Sequence, residues 1–547
     1  MNYNRTIPEV FVEASTQFAD QKAFTCMGRT LTFADVDRLS AHFAAYLQNH
    51  TGLQPGDRVA VQLPNVLQYP VVLFGIIRAG LVVVNTNPLY TAREVKHQLN
   101  DSGAKAMVVF ANIASTAAEV IAETAVEQVI VTQIGDLHTP LKGGLLNFAV
   151  KYIKKMVPDF AFHNQISFKE ALKRGRNSQF RPVSRKPEDV AVLQYTGGTT
   201  GVAKGAMLTH RNLVANMLQV DAHLGEFYTA SEGTVVAPLP LYHIYAFTLH
   251  CMFLFSKGLC SLLIPNPRDL AGFIKTLQKE RVDGFVGINT LFNGLCANPE
   301  LAKVDFSHLK TTSSGGMALT SEAARQWKQI TGCDVSEGYG MTETSPVVSA
   351  NKPDAIQQGT IGTPVPETEV KVIDESGQAL PAGQPGELCV RGPQVMKGYW
   401  QRPEATAEVL DEEGWLKTGD MAVIQADGYM KIVDRKKDMI IVSGFNVYPN
   451  EVEDVATTHP GILEAGAIGV PDGKSGEAVK LFAVKTDANL TEKDVREFCK
   501  QNLTGYKVPK FVEFLDELPK SNVGKILRKD LKVLEAKNRE TKEATAA

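Results

Sequence analysis

The sequence predicts an α/β protein joined to a smaller α+β unit, and three observations carry that prediction. At 547 residues the chain exceeds what one hydrophobic core serves, and its length corresponds to about three to four folding units. Over the first half, short β-branched runs alternate with helix-length segments, the pattern of largely parallel sheets covered by helices. From about Gly359 the texture changes to short strands between Gly/Pro turns, and beyond Pro449 it returns to mixed helix and strand.

In chain order, "DRVAVQLP", "LVVVN", "AMVVF" and "QVIVT" read as buried strands, because each is short, apolar and rich in β-branched residues. Two longer apolar stretches resemble membrane spans but are interrupted. "YPVVLFGIIRAGLVVVN" contains Arg78 and Gly80, and "IYAFTLHCMFLFSKGLCSLLI" contains His250, Lys257 and Gly258, so each reads as a buried helix followed by a strand. The stretch "LKGGLLNFAVKYIKKMVPDF" sets Leu145, Leu146, Phe148, Ile153 and Met156 beside Lys142, Lys151, Lys154 and Lys155. It suits either a surface helix with its apolar side on the core or a helix lying on an anionic membrane.

"ETEVKVIDESGQALPAGQPGELCVRG" predicts a small antiparallel or barrel-like unit spanning about 355–434. "NEVEDVATTHP", "EAGAIGV", "KLFAVK" and "TEKDVREFCKQNL" then alternate helix and strand in a terminal α+β unit, and the charged tail "EAKNRETKEATAA" is expected to fray. No internal repeat stands out.

A net charge of −3 gives no general attraction to polyanions, which argues against a dedicated nucleic-acid binder. The seven cysteines are scattered without the close pairs of a zinc site or disulfide framework, and the N-terminus has no apolar run behind a positive start. A reduced, cytoplasmic location is the expectation.

One run stands apart. "YTGGTTGVAKGAM", Tyr195 to Met207, gathers four glycines and three threonines about Lys204. Glycines let backbone amides approach an anion, threonine hydroxyls add donors, and the lysine brings mobile positive charge, so the run suits a polyphosphate. It is not a Walker loop: counting from Gly198, Ala203 stands where the second glycine belongs, and Gly205 rather than Ser or Thr follows Lys204.

Further runs follow in order: "LPLYHIYAFT" from Leu239, "SSGGM" from Ser313, "EGYGMTETSP" from Glu337, "GWLKTGD" ending at Asp420, "DRKKDMIIVSGFNVYPNEVE" from Asp434, and "PKSNVGKILRKDL" around Lys525. Together they resemble the adenylate-forming superfamily of acyl-CoA synthetases, luciferases and peptide-synthetase adenylation domains. Within it, "WLKTGDMAVIQADGYMKIVDRKKD" is most similar to bacterial long-chain fatty-acid:CoA ligases.

The resemblance implies an N-terminal AMP-binding domain over 1–434, built from two α/β subdomains and a distorted β-barrel, and a mobile C-terminal domain over 435–547. It implies ATP, Mg2+ and CoA as cofactor and co-substrates, and an acyl-AMP intermediate. Tyr195, Thr196, Gly197, Gly198, Thr199, Thr200, Gly201 and Lys204 would clasp the β- and γ-phosphates. Gly315, Gly316 and Tyr339 would surround adenine, Glu337, Gly338 and Gly340 would belong to the same nucleotide-binding run, and Thr342 would donate to the α-phosphate. Glu343 would hold magnesium, a hard ion suited to a carboxylate. Asp420 would take the ribose hydroxyls with Arg435 assisting, although those two side chains could instead form a structural ion pair. Lys525 would bridge carboxylate and α-phosphate, Lys437 would be the hinge, Ser443 and Gly444 would admit the pantetheine arm, and His243 would gate the carboxylate end.

Amino-acid-activating relatives place an aspartate near "LPLYHIYAFT", whereas no acidic residue lies between Leu239 and Ile264 here. Ala246, Phe247, Leu249, Met252, Phe253 and Leu254 read either as an apolar acyl lining or as ordinary core. The implied reaction is long-chain fatty acid:CoA ligation, with long-chain fatty acid and CoA as partners and no nucleic acid. Peripheral contact with the inner face of a membrane and a homodimer stay open. So do an aryl or medium-chain acid:CoA ligase, a fatty acyl-AMP ligase serving a carrier protein, and a catalytically silent acyl-nucleotide sensor.

Overall fold

Residues 1–196, 203–229, 233–521 and 524–546 are described by a computed structural model of the chain, with side chains through 541. A seven-stranded sheet has, in spatial order, Gln165–Ser167, Gln128–Thr132, Ala106–Phe110, Arg58–Gln62, Val82–Asn85, Val190–Thr196 and Lys204–Thr209. All neighbours are parallel except the last pair. The four runs read as buried strands are therefore strands, and their near-continuous burial follows from helices covering both faces.

A nine-stranded sheet runs from Thr363–Pro364 through Val347–Ala350, Val335–Gly340, Thr311–Ser314, Gly284–Gly287, Thr234–Ala237, Cys260–Leu263 and Lys22–Cys26 to Arg29–Thr32. Its middle is parallel and its ends antiparallel. One core joins the two large sheets; within it Phe11 lies 4.3 Å from Phe74, and Phe33 lies 4.5 Å from Phe255, between ring centroids. A second core is centred on Trp327 of the helix Ser321–Thr331. Its indole donates to Thr312 Oγ1 at 3.1 Å, so the helix fixes the strand that delivers Gly315 and Gly316. Both membrane-like stretches are helix followed by strand, as expected, and no described helix is long and apolar enough to cross a membrane.

The barrel expected over about 355–434 is not closed. The strands Glu369–Ile373, Pro385–Arg391, Leu416–Ile424 and Met430–Arg435 form an open antiparallel sheet whose two edges do not pair. Met430 at one edge is instead engaged by Ile361 and Gly362, through N–H···O bonds of 2.8 and 2.9 Å. Turn chemistry in the sequence reports hairpins; closure depends on shear and on which edges meet, which local sequence does not encode.

The last sheet contains Phe445–Val447, Ile440–Val442, Gly476–Lys485 and Ile462–Asp472, with Phe511–Phe514 parallel to Gly476–Lys485. The tail expected to fray continues the helix Arg528–Ala546. Glu535 explains why: it receives Lys480 of the sheet and Arg539 one turn on, the latter at 2.8 Å.

Candidate active site

Gly197, Gly198, Thr199, Thr200 and Gly201 lie outside the described residues, but the strands on either side of them belong to the sheet. Thr196 ends one strand, Lys204 opens the next, and the two are paired in register. Tyr195 points its hydroxyl at Asp101 Oδ2, 2.7 Å away, where Arg402 also pairs with Asp101. A Cβ at Gly205 would come within 3.0 Å of the Tyr195 ring, so glycine there lets the ring lie against the strand.

Beyond the loop, residues 397–400 run beside Lys204–Thr209 through Met207 N–H to Gly398 O at 2.9 Å and Trp400 N–H to Gly205 O at 2.7 Å. This brings Tyr399 under Lys204, whose ammonium sits 5.2 Å from the ring centroid. The Tyr399 hydroxyl donates to Glu343 Oε1 at 2.7 Å. Nothing in the run "KGYW" marks Tyr399 as part of a site; the packing alone does.

Thr342 and Glu343 begin the short 3-10 turn Thr342–Thr344 that follows the strand Val335–Gly340. Glu343 is buried, and burial raises its pKa, reinforced by Asp420 and opposed by Tyr399 and Arg435. No cationic group bonds this carboxylate among the described residues, and such a buried acid favours a cation. No cluster of three or more His, Cys, Asp or Glu side chains forms a metal cage among the described residues. A lone carboxylate fits an ion such as magnesium, which takes one or two protein carboxylates and keeps phosphate and water ligands.

The same strand places Glu337, Gly338, Tyr339 and Gly340 in a row. Burial pushes the Glu337 carboxyl up to about 7, although Leu319 N–H donates to it at 3.2 Å. The chain folds back so tightly that a Cβ on Gly340 would lie 2.2 Å from Pro346 O. Tyr339 donates to Asp420 Oδ2 at 2.6 Å. Gly315 packs on Tyr245, whose ring atoms a Cβ would meet at 3.2 Å, and Gly316 turns with φ +83°.

Lys525 reaches the carbonyl of Gly316 at 3.4 Å, across 209 residues of sequence. Its loop is seated by Thr290 Oγ1, which donates to Gly524 O at 3.0 Å. Burial, then Arg435, pulls the Lys525 pKa down to about 8, which still leaves it mostly cationic at neutral pH. His243 lies within electrostatic range of the same ammonium: burial, then Lys525, lowers its pKa to about 4, so the imidazole is neutral. Its Nδ1 accepts from Tyr245 N at 3.4 Å.

Asp420 and Arg435 are paired across adjacent strands, with Arg435 Nε 3.7 Å from Asp420 Oδ1. Thr418 Oγ1 accepts from Asp420 N at 3.1 Å and fixes the turn at Gly419, φ +72°. Lys437 is exposed in the turn that follows Arg435, and burial of part of its side chain lowers its pKa. Ser443 and Gly444 form the exposed turn between Ile440–Val442 and Phe445–Val447, at φ +52° and +84°. Hydrogen bonds among the described residues do not join that turn to the Lys525 group; Ser443 N instead bonds Ser475 O at 2.8 Å.

Ala246, Phe247, Met252, Phe253 and Leu254 are buried in the shared core, with the Phe253 ring 5.3 Å from Tyr228. Leu249, Tyr245, Met317 and Met341 are partly buried apolar side chains packed against the same core, and Tyr245 is the one that meets Gly315. Tyr245, like Tyr399, was not legible as a site residue from composition or spacing.

Comparison with known proteins bears on this arrangement. Residues 11–400 match the model of the AMP-binding enzyme family, and residues 451–525 match that of the AMP-binding enzyme C-terminal domain. A long-chain-fatty-acid–CoA ligase of Escherichia coli O6:H1 is 54% identical over 96% of this chain and 94% of its own. One from Bacillus subtilis is 38% identical, covering 98% and 96%. Among solved structures, ATP-bound MatB from Rhodopseudomonas palustris is 29% identical, with a TM-score of 0.80 over 97% of this chain and 98% of its own. An anthranilate CoA ligase in complex with anthranoyl-AMP shares the fold at 24% identity, with a TM-score of 0.86 over 98% of both chains.

Proposed function

The chain belongs to the AMP-binding enzyme family, and from that premise we propose that it is an ATP-dependent long-chain fatty acid:CoA ligase. The observation that carries the reading is 54% identity over nearly the whole chain to a long-chain-fatty-acid–CoA ligase. The chemistry explains the machinery. A carboxylate is a poor acyl donor because oxide is its leaving group, and transfer to AMP supplies a good one, with diphosphate released. Two anions must then be brought together, so positive charge where they react is the main catalytic requirement.

In this reading Lys525 bridges the fatty carboxylate and the α-phosphate. Its position over Gly316, within electrostatic range of neutral His243, supports that role, because a neutral imidazole does not compete for the anions. Thr342 donates to the α-phosphate, and Glu343 holds magnesium, which supplies charge neutralisation for the phosphates. Asp420 takes the ribose while Tyr339, donating to its other side, orients it. The glycine loop, with Tyr195, Thr196 and Lys204 at its ends, holds the outer phosphates. The domains divide as 1–434 and 435–547, and rotation at Lys437 withdraws Lys525 and brings Ser443 and Gly444 to admit CoA, whose thiol attacks the acyl carbonyl and releases AMP.

Thioester formation from ATP and CoA across octanoate, palmitate, oleate and coumarate tests the reading. Preference for palmitate or oleate is expected. Preference for coumarate would move the chain to an aryl-acid ligase, like the 4-coumarate–CoA ligase of Nicotiana tabacum that is 33% identical over 92% of this chain and 89% of its own.

Peripheral contact with a membrane is part of the proposal, and one surface supports it. The segment from Pro140–Phe148 into Ala149–Ile153 has only Gly143 buried, so its apolar side does not pack on the core. Leu141, Leu145, Phe148, Tyr152, Ile153 and Met156 are all more than half exposed, at 77, 62, 55, 59, 71 and 54%. With Lys151, Lys154 and Lys155 beside them, this face matches an anionic bilayer, where each cation contributes about 1 kcal/mol. Reversing these three lysines to glutamate is expected to weaken flotation with phosphatidylglycerol vesicles by at least about tenfold. Unchanged flotation would exclude this face.

A further inference from the structure

The structure assigns a latch to the buried pair Asp434 and Arg528: we propose that it holds Lys525 in the carboxylate-activating position and opens before the thioester step. The inference rests on the proposed two-step reaction and adds a positioning pair to it.

Asp434 stands one residue before the end of the strand Met430–Arg435, three residues ahead of Lys437, and is 1% exposed. Three donors satisfy its carboxylate: Arg435 N at 2.7 Å, Asn450 N at 2.8 Å and Arg528 Nη1 at 2.7 Å. Asn450 lies in the first turn of the helix Pro449–Thr457, so an acid from one side of the hinge caps a helix on the other. Arg528 begins the helix Arg528–Ala546, three residues beyond Lys525, and is therefore tied to the loop that Thr290 seats through Gly524.

Arg528 has a second partner. It grips Glu453 through two bonds, Nε to Oε1 at 2.9 Å and Nη2 to Oε2 at 2.7 Å, and it also donates to Asn450 Oδ1. Glu453, Asn450 and Arg528 all follow the hinge, whereas Asp434 precedes it. Rotation at Lys437 can separate Arg528 from Asp434 without leaving the guanidinium unpaired, because Glu453 travels with it. Asp434 would then pass into water, where a carboxylate needs no partner. Breaking a buried pair is costly when one charge stays buried alone, and this arrangement avoids that outcome on both sides. The result is an element with two satisfied states, the requirement for a switch.

The latch also explains how a lysine at the end of a flexible side chain is placed accurately. Lys525 meets the large domain through one long bond to Gly316, while the Asp434–Arg528 and Asp454–Ser321 contacts fix the body that carries it; Ser321 N and Oγ donate to Asp454 at 3.1 and 3.2 Å.

The test separates the two half-reactions. With Asp434→Asn, acyl-adenylate formation from palmitate and ATP without CoA is expected to slow about tenfold, the effect of losing one charged hydrogen bond in the closed state. Conversion of supplied palmitoyl-AMP to thioester by CoA should be unchanged or faster. Arg528→Lys keeps the charge but loses the fork; it should show the same split and carries the test if Asp434→Asn does not fold. Equal losses in both half-reactions, or an unaffected first one, would overturn the latch. Wild-type enzyme forming neither product would overturn the proposed reaction and the latch with it, so the two failures are distinguishable.

Discussion

Lys525→Ala is expected to slow acyl-adenylate formation by roughly 10³-fold, the upper end of what removing one aimed electrostatic group does in a desolvated site. The reasoning is electrostatic. Carboxylate and α-phosphate repel, and the charge that offsets the repulsion must sit between them. Lys525 is the cation whose side chain reaches the Gly316 turn, within electrostatic range of His243. Its partial desolvation weakens its hold on its own proton, and the same environment strengthens its attraction for the two anions. Thioester formation from supplied acyl-adenylate should stay within about threefold of wild type, because that step proceeds with the lysine withdrawn. Rapid-quench measurement of both steps checks the prediction. A variant that forms acyl-AMP at an undiminished rate would remove Lys525 from the mechanism.

Glu343→Gln should slow the same step by about 10²-fold and shift its magnesium dependence to higher concentration. The substitution keeps the size of the side chain and an acceptor for the Tyr399 hydroxyl, which now lies 2.7 Å from Oε1. It removes only the charge. Burial holds the Glu343 carboxyl above its ordinary range, a bound cation would offset that shift, and magnesium is the cation it would bind. Titration of the rate with magnesium reads the effect directly. An unchanged magnesium midpoint would show that the ion is held by the substrate phosphates without Glu343.

Much of this was legible locally. Strands such as Ala106–Phe110 announce themselves by five consecutive apolar residues, and the order of the runs from Tyr195 to Lys525 carries the family. What the sequence hides is distance. Tyr399 reaches Glu343 across 56 positions because residues 397–400 happen to extend a sheet, and Arg528 reaches Asp434 across 94. Neither pairing leaves a periodicity to read. The open sheet expected as a barrel and the tail helix expected to fray are the same lesson: Met430 is engaged by Gly362 and Ile361, and Glu535 is fixed by Lys480, all contacts remote in sequence. The segment after Pro140 shows the converse, since its amphipathic pattern was plain but only the structure shows its apolar side facing outward.

Activation of a fatty carboxylate as its adenylate at this site is read most directly by the carboxylate panel with CoA withheld. Palmitate or oleate with ATP and magnesium should give enzyme-bound acyl-AMP and an equal amount of diphosphate, followed by thioester and AMP when CoA is added. Release of ADP and phosphate, or no ATP cleavage with any of the acids, would contradict it.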